Sequence, residues 1–147
     1  ARRGVAGYGE AEDYSVTVTA GVPCAGTPAG GTASASVTYL CAAGTSVLSV
    51  ASIGSGTGIS LQWQSSPAGA NTFTDVTGGT GATTTSYTSA SLSASTDFRC
   101  KVTCSNGGAF SYSTTATVTF GGVPSNDLVC NATPLSLNGA VINANTV

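Results

Sequence analysis

Two stretches of this chain alternate strictly between apolar and polar side chains, and they restrict the fold more than any other feature. In Ile59-Ser60-Leu61-Gln62-Trp63-Gln64-Ser65 the apolar positions are Ile59, Leu61 and Trp63. In Asp97-Phe98-Arg99-Cys100-Lys101-Val102-Thr103-Cys104 they are Phe98, Cys100, Val102 and Cys104. A strand sends successive side chains to opposite faces, so each stretch reads as a strand with one dry face and one wet face. By this parity Trp63 belongs in a core, not on a surface, and Arg99 and Lys101 point outward into solvent.

The rest of the middle segment follows the same rule. Ala33, Ala35, Val37 and Tyr39 alternate with hydroxyl residues as one strand ending at Cys41, and Ser46 to Ile53 forms a second strand with Leu48 and Val50 inward. Thr72 to Val76 holds Phe73, and Thr83 to Ala90 holds Tyr87, with Leu92 under the corner that follows. Asp97 caps that corner turn. Asn106-Gly107 supplies the positive φ angles of a hairpin, and the return strand carries Tyr112, Ala116, Val118 and Phe120 on one face. No stretch has a helical period. Strands about 8–12 residues apart, one bearing a Trp and another aromatic-x-Cys, predict an all-β, immunoglobulin-like β-sandwich. Its expected core includes Trp63, Phe98, Leu48 and Val102.

Pro and Gly mark the expected domain limits. Residues 1–20 read as the terminal strand of a preceding β domain, with Tyr14, Val16 and Val18 on one apolar face. Residues 21–122 are the sandwich. Residues 123–147 read as a linker and the first hairpin of a following β domain, with Leu135, Leu137 and Val141 on its strands. The flanking strands either belong to neighbouring domains or are donated to the sheets of neighbouring subunits, because an apolar strand does not stay alone in water.

Composition narrows the chemistry. Charged residues make up 7% of the chain and the net charge is −2, which argues against a nucleic-acid partner. No apolar run reaches membrane-spanning length, so no membrane insertion is expected, and no basic leader precedes an apolar stretch. The sequence has no Met, as expected of a processed or excerpted chain. Five Cys suit an oxidising compartment and disulfides. The metal alternative is poor, because Cys100 and Cys104 form a lone C-x3-C and there is no His. Without His, a catalytic base would have to be a carboxylate or Lys. Glu10, Glu12 and Asp13 could form a carboxylate pair or calcium site, but a solvated turn before a strand is the favoured reading. The Gly-rich loop at Ser52 to Gly58 lacks the following Lys and helix of a phosphate cradle. Asn131-Ala132-Thr133 matches a glycosylation sequon. No catalytic residue, metal site or cofactor is expected.

Two resemblances add to this reading. Tyr8-Gly9-Glu10-Ala11-Glu12-Asp13-Tyr14-Ser15-Val16 resembles the closing motif of the GEVED domain, a β-sandwich module of large secreted bacterial proteins. About 100 residues resemble the Ig-like repeats of gliding-motility-associated and other surface proteins of Bacteroidetes. The matching residues are Cys24 to Gly31, Cys41 with Gly44-Thr45-Ser46, Leu61-Gln62-Trp63-Gln64-Ser65-Ser66 and Phe98-Arg99-Cys100-Lys101-Val102-Thr103-Cys104. Phe73 stands where those repeats usually carry a second Trp, a change expected to alter packing under the sheet. The resemblance implies an extracellular, multidomain protein of the type IX secretion route, whose repeats act as spacers and adhesive modules.

The expected strand directions put Cys41 with Cys100 at one end and Cys24 with Cys104 at the other. The alternative, Cys24–Cys41 with Cys100–Cys104, needs a kink to join two positions on one strand. Cys130 has no evident partner in the chain and would pair in the following domain or across a subunit contact. The expected function is a non-catalytic structural or adhesive module of an extracellular fibre or cell-surface protein. Its expected partners are neighbouring copies or domains of the same protein. A glycan-binding module, with surface glycans as partners, is the alternative.

Overall fold

The computed structural model describes residues 20–121 and the two short strands Leu135–Leu137 and Ala140–Ile142. In chain order the strands are β1 (Thr32–Ala35), β2 (Tyr39–Leu40), β3 (Val47–Ala51), β4 (Ile59–Pro67), β5 (Thr74–Asp75), β6 (Ser86–Thr88), β7 (Thr96–Cys104), β8 (Phe110–Tyr112), β9 (Ala116–Phe120), β10 (Leu135–Leu137) and β11 (Ala140–Ile142). Among the described residues there is no helix. The fold is an all-β, two-sheet sandwich. One sheet has the order β1-β3-β6; the other has six strands, β2-β9-β7-β4-β5, with β8 also paired to β7. β10 and β11 pair with each other, Leu135 opposite Ile142 and Ser136 opposite Val141. Tyr14, Val16, Val18 and Cys130 lie outside the described residues.

The two alternating stretches are the long central strands, β4 and β7. They run antiparallel, with Trp63 opposite Cys100 and Leu61 opposite Val102. Trp63, Leu48, Cys100, Val102 and Val118 are fully buried, and Phe98 and Tyr87 nearly so. Burying each large side chain contributes about 1.5–3 kcal/mol, so these seven positions dominate the hydrophobic term. The rings of Trp63 and Tyr87 lie 6.2 Å apart, as do those of Tyr87 and Phe98. This aromatic column joins the two sheets. Its polar ends are satisfied: Trp63 Nε1 donates to the Thr84 carbonyl (2.9 Å) and the Tyr87 hydroxyl to the Gly78 carbonyl (3.2 Å).

The first expected strand divides between the sheets. β1 pairs with β3, then the chain crosses at Ser36–Thr38 and β2 runs parallel to β9. This crossing corrects two expectations. Val37 is 38% exposed, not inward. Cys41 follows β2 at the sheet edge, exposed and with β9 between it and β7. Cys100 faces the core two strands across from it, and the registers Leu40↔Phe120 and Val118↔Thr96 put Cys41 level with the start of β7, well short of Cys100 along the strand. The Cys41–Cys100 bridge therefore does not form: Cys100 is a buried free thiol, and Cys41 is held in a disulfide with a different cysteine. Cys24 and Cys104 are bridged, their Cα atoms 5.8 Å apart.

The expected return strand is also divided. Lys101 pairs with Tyr112, whereas Phe98 pairs with Ala116, so three steps along β7 match four along its partner. One extra residue lies between β8 and β9, which is a β-bulge. It reverses side-chain parity. Ala116 and Val118 are buried as expected, but Tyr112 faces outward and is 40% exposed.

Candidate functional site

The outer face of the six-stranded sheet carries a cluster the sequence did not reveal. Arg99 and Lys101 project from β7, Gln62 and Gln64 sit beside them on β4, and Asp75 lies next to Gln64 on β5. Phe110 and Tyr112 project from β8 on the other side, opposite Thr103 and Lys101. Neither cation is simply solvated. The Arg99 guanidinium lies 3.6 Å from the Tyr112 ring centre and 4.1 Å from that of Phe73. Lys101 Nζ is 4.5 Å from the Phe110 ring centre, and the Phe110 and Tyr112 rings meet edge to face at 5.5 Å. Each such cation–ring contact is worth about 0.5–1 kcal/mol at a surface and orders both groups.

Phe73 thus corrects a further expectation. Its parity matches Asp75 on β5, so it lies half-buried on the outside of the sheet beneath Arg99, not under the sheet. A hydrogen-bonded row fixes the other side of the guanidinium. Arg99 Nε donates to Gln64 Oε1 (3.0 Å), and Gln64 Nε2 donates to Asp75 Oδ1 (2.9 Å). Among the described residues Arg99 and Lys101 are the only Lys or Arg side chains, and Asp75 and Asp97 the only carboxylates. Asp97 is buried and committed elsewhere: it accepts from the Gly69 N–H (2.8 Å) and the Thr117 hydroxyl (2.6 Å), so it holds the Pro67–Asn71 turn and not the expected corner between Leu92 and Phe98.

Several contacts clamp β8 so that Tyr112 sits where it does. Ser111 donates its hydroxyl to the Pro28 carbonyl (2.6 Å), Thr114 donates its N–H to the Gly31 carbonyl (3.1 Å), and the Ala33 N–H reaches the Thr114 hydroxyl (3.0 Å). Gly30 packs directly on the β8 backbone. A Cβ there would fall 1.9 Å from the Tyr112 carbonyl oxygen, which no side chain could tolerate. The only hint of this in the sequence is the pair Ser113-Thr114, whose hydroxyls accept the Cys100 and Ala33 N–H groups in place of sheet partners at the bulge.

Elsewhere the chemistry is sparse. A cleft of about 330 Å³ opens between the sheets near β5 and β6, lined by Ser66, Thr74, Ser89, Ser95, Thr96 and Phe98 among others. Tyr87 also borders it, and burial raises that phenol above its ordinary value. Burial likewise pushes the Cys100 thiol up to about 11, so it is no nucleophile near neutral pH. Among the described residues no group of three or more His, Cys, Asp or Glu is placed to hold a metal ion. No described helix is long and apolar enough to cross a membrane.

Fold and surface together define an all-β sandwich module with a ring-and-cation outer face. Residues 29–122 match the model of a family described as Domain of unknown function (DUF8696), and the chain belongs to that family. No curated protein and no solved structure matches the chain.

Proposed function

We propose that this chain is a non-catalytic structural or adhesive module, immunoglobulin-like in topology, of an extracellular fibre or large cell-surface protein. The observation that carries this reading is the outer face of the six-stranded sheet. There a disulfide-bridged scaffold presents Phe73, Arg99, Lys101, Phe110 and Tyr112 to one side. Arg and Tyr are among the residue types enriched at contact surfaces and their hot spots. The Cys24–Cys104 bridge supports an oxidising, extracellular setting, and the likeness to Bacteroidetes surface repeats supports cell-surface export. Neighbouring copies or domains would join end to end through short linkers and pairing of the flanking strands.

Adhesion is tested with beads carrying the folded chain, whose retention on the native cell surface should exceed that of beads carrying the unfolded chain. Equal retention would count against the reading. Strand pairing between copies is tested separately by light scattering of the purified chain: a monodisperse monomer with protease-labile ends would remove it. A glycan-binding module is the second reading, favoured by the exposed rings of Phe110 and Tyr112, which are 46% and 40% accessible.

A further inference from the structure

We propose that the outer face of the six-stranded sheet is a binding site for an anionic glycan, a pyranose chain bearing carboxylate or sulfate groups. In this site the Arg99 guanidinium and Lys101 ammonium meet the acidic groups, and Tyr112 and Phe110 pack on the C–H faces of the sugar rings. The inference rests on the adhesive reading above and gives it a ligand class.

Charge complementarity is the first argument. Both basic side chains of the described residues stand at alternate positions of one strand, on one face, in a chain whose net charge is −2. The neighbouring Asp75 carboxylate already accepts from Gln64, and no Lys or Arg pairs with it among the described residues. Geometry is the second. Arg99 is sandwiched between Phe73 and Tyr112 and tied by Nε to Gln64, so its plane is fixed before any ligand arrives. Among the described residues nothing engages its two terminal nitrogens, and these form the fork that meets an oxyanion in bidentate fashion. Fixing the side chain in advance lowers the ordering cost of binding.

The surroundings favour a sugar over an acidic peptide. Arg99 and Lys101 stand on the broad side of the sheet, on the central strand β7, so an extended peptide adding by its backbone to an edge strand would not be positioned over them. Side chains alone do the recognition. Rings suit the apolar faces of pyranoses, and the Gln62 amide oxygen is of the type that accepts from ring hydroxyls, its Nε2 being given to the Trp63 carbonyl. Two cations are also too few for the many phosphate contacts of a nucleic acid.

The experiment is calorimetric titration of the full chain, at low and moderate salt, with four probes: polygalacturonate, a sulfated dextran, neutral dextran and poly-glutamate. The variants are R99Q, K101Q, their double and R99K, each checked for folding by circular dichroism and Trp63 fluorescence. Binding of at least one anionic polysaccharide is expected, weakened about tenfold or more by R99Q, since a charge-assisted hydrogen bond is lost. R99K is expected to fall between wild type and R99Q. If R99Q does not fold, K101Q carries the test, and an unchanged affinity there overturns the proposal. Equal binding of neutral dextran overturns the anionic class, and equal binding of poly-glutamate overturns the glycan class. Absence of all polysaccharide binding, with bead adhesion retained, overturns this inference and leaves the adhesive reading standing. Loss of both overturns both.

Discussion

The Cys100 N–H is donated to the Ser113 hydroxyl oxygen (2.8 Å), and Ser113 returns its own N–H to the Cys100 carbonyl (2.8 Å). This reciprocal pair sits at the bulge, where regular pairing of β7 would otherwise fail. Ser113→Ala leaves a buried N–H without an acceptor. Its expected cost is about 1–3 kcal/mol, measured by urea denaturation followed through Trp63 emission. An unchanged midpoint would mean that the bulge is held by other contacts.

Gly30 gives a steric test of the same region. Because its Cβ position is filled by the Tyr112 backbone, Gly30→Ala must displace β8. The variant is expected to lose more than about 1 kcal/mol of stability. It should also release Tyr112 from Arg99, read as altered Tyr112 ring resonances. If stability and ring signals both match wild type, the close approach is not a constraint in solution.

The Cys24–Cys104 bridge closes a loop with a sequence separation of 80. Chain-entropy arguments assign such a closure about 4 kcal/mol. A Cys24→Ala, Cys104→Ala double variant, which leaves Cys41's own disulfide intact, is expected to unfold at clearly lower urea with its sheets unchanged by circular dichroism. A shift under about 1 kcal/mol would show that the unfolded chain is already restrained there.

Burial raises the Cys100 thiol from 9.0 to about 11. The unfolded chain therefore loses this proton at lower pH than the folded one. The stabilisation is complete below about pH 9 and is lost as pH rises towards 11, by on the order of 2 kcal/mol. Tyr87 shifts in the same direction through burial, so the clean measurement is the difference between wild type and Cys100→Ala across that range. Parallel stability curves for the two proteins would refute the assignment.

How far the sequence could be read depended on where large apolar residues broke the symmetry between faces. β4 and β7 were legible because Trp63, Phe98 and Val102 can be only on the dry side. The strand ending at Cys41 was not, because Ser36-Val37-Thr38 offers no strong preference for either face, and a crossing between sheets there leaves no mark. The outer cluster was hidden for a related reason. One extra residue near Ser113 reverses the parity of Tyr112, and a period-2 pattern carries no information about an inserted residue. Phe73 precedes a strand of two residues, too short to declare its faces.

Tension applied along the chain would meet the Cys24–Cys104 bridge first. Load entering at Cys24 passes through sulfur directly to the end of β7, so the intervening segment, about 270 Å if fully extended, is withheld from stretching. Of the described residues after the bridge, the stretch from Cys104 to Gly121 reaches at most about 60 Å when drawn out, and Cys41's own disulfide adds a second restraint. Such a link would extend little even after its sheets had separated.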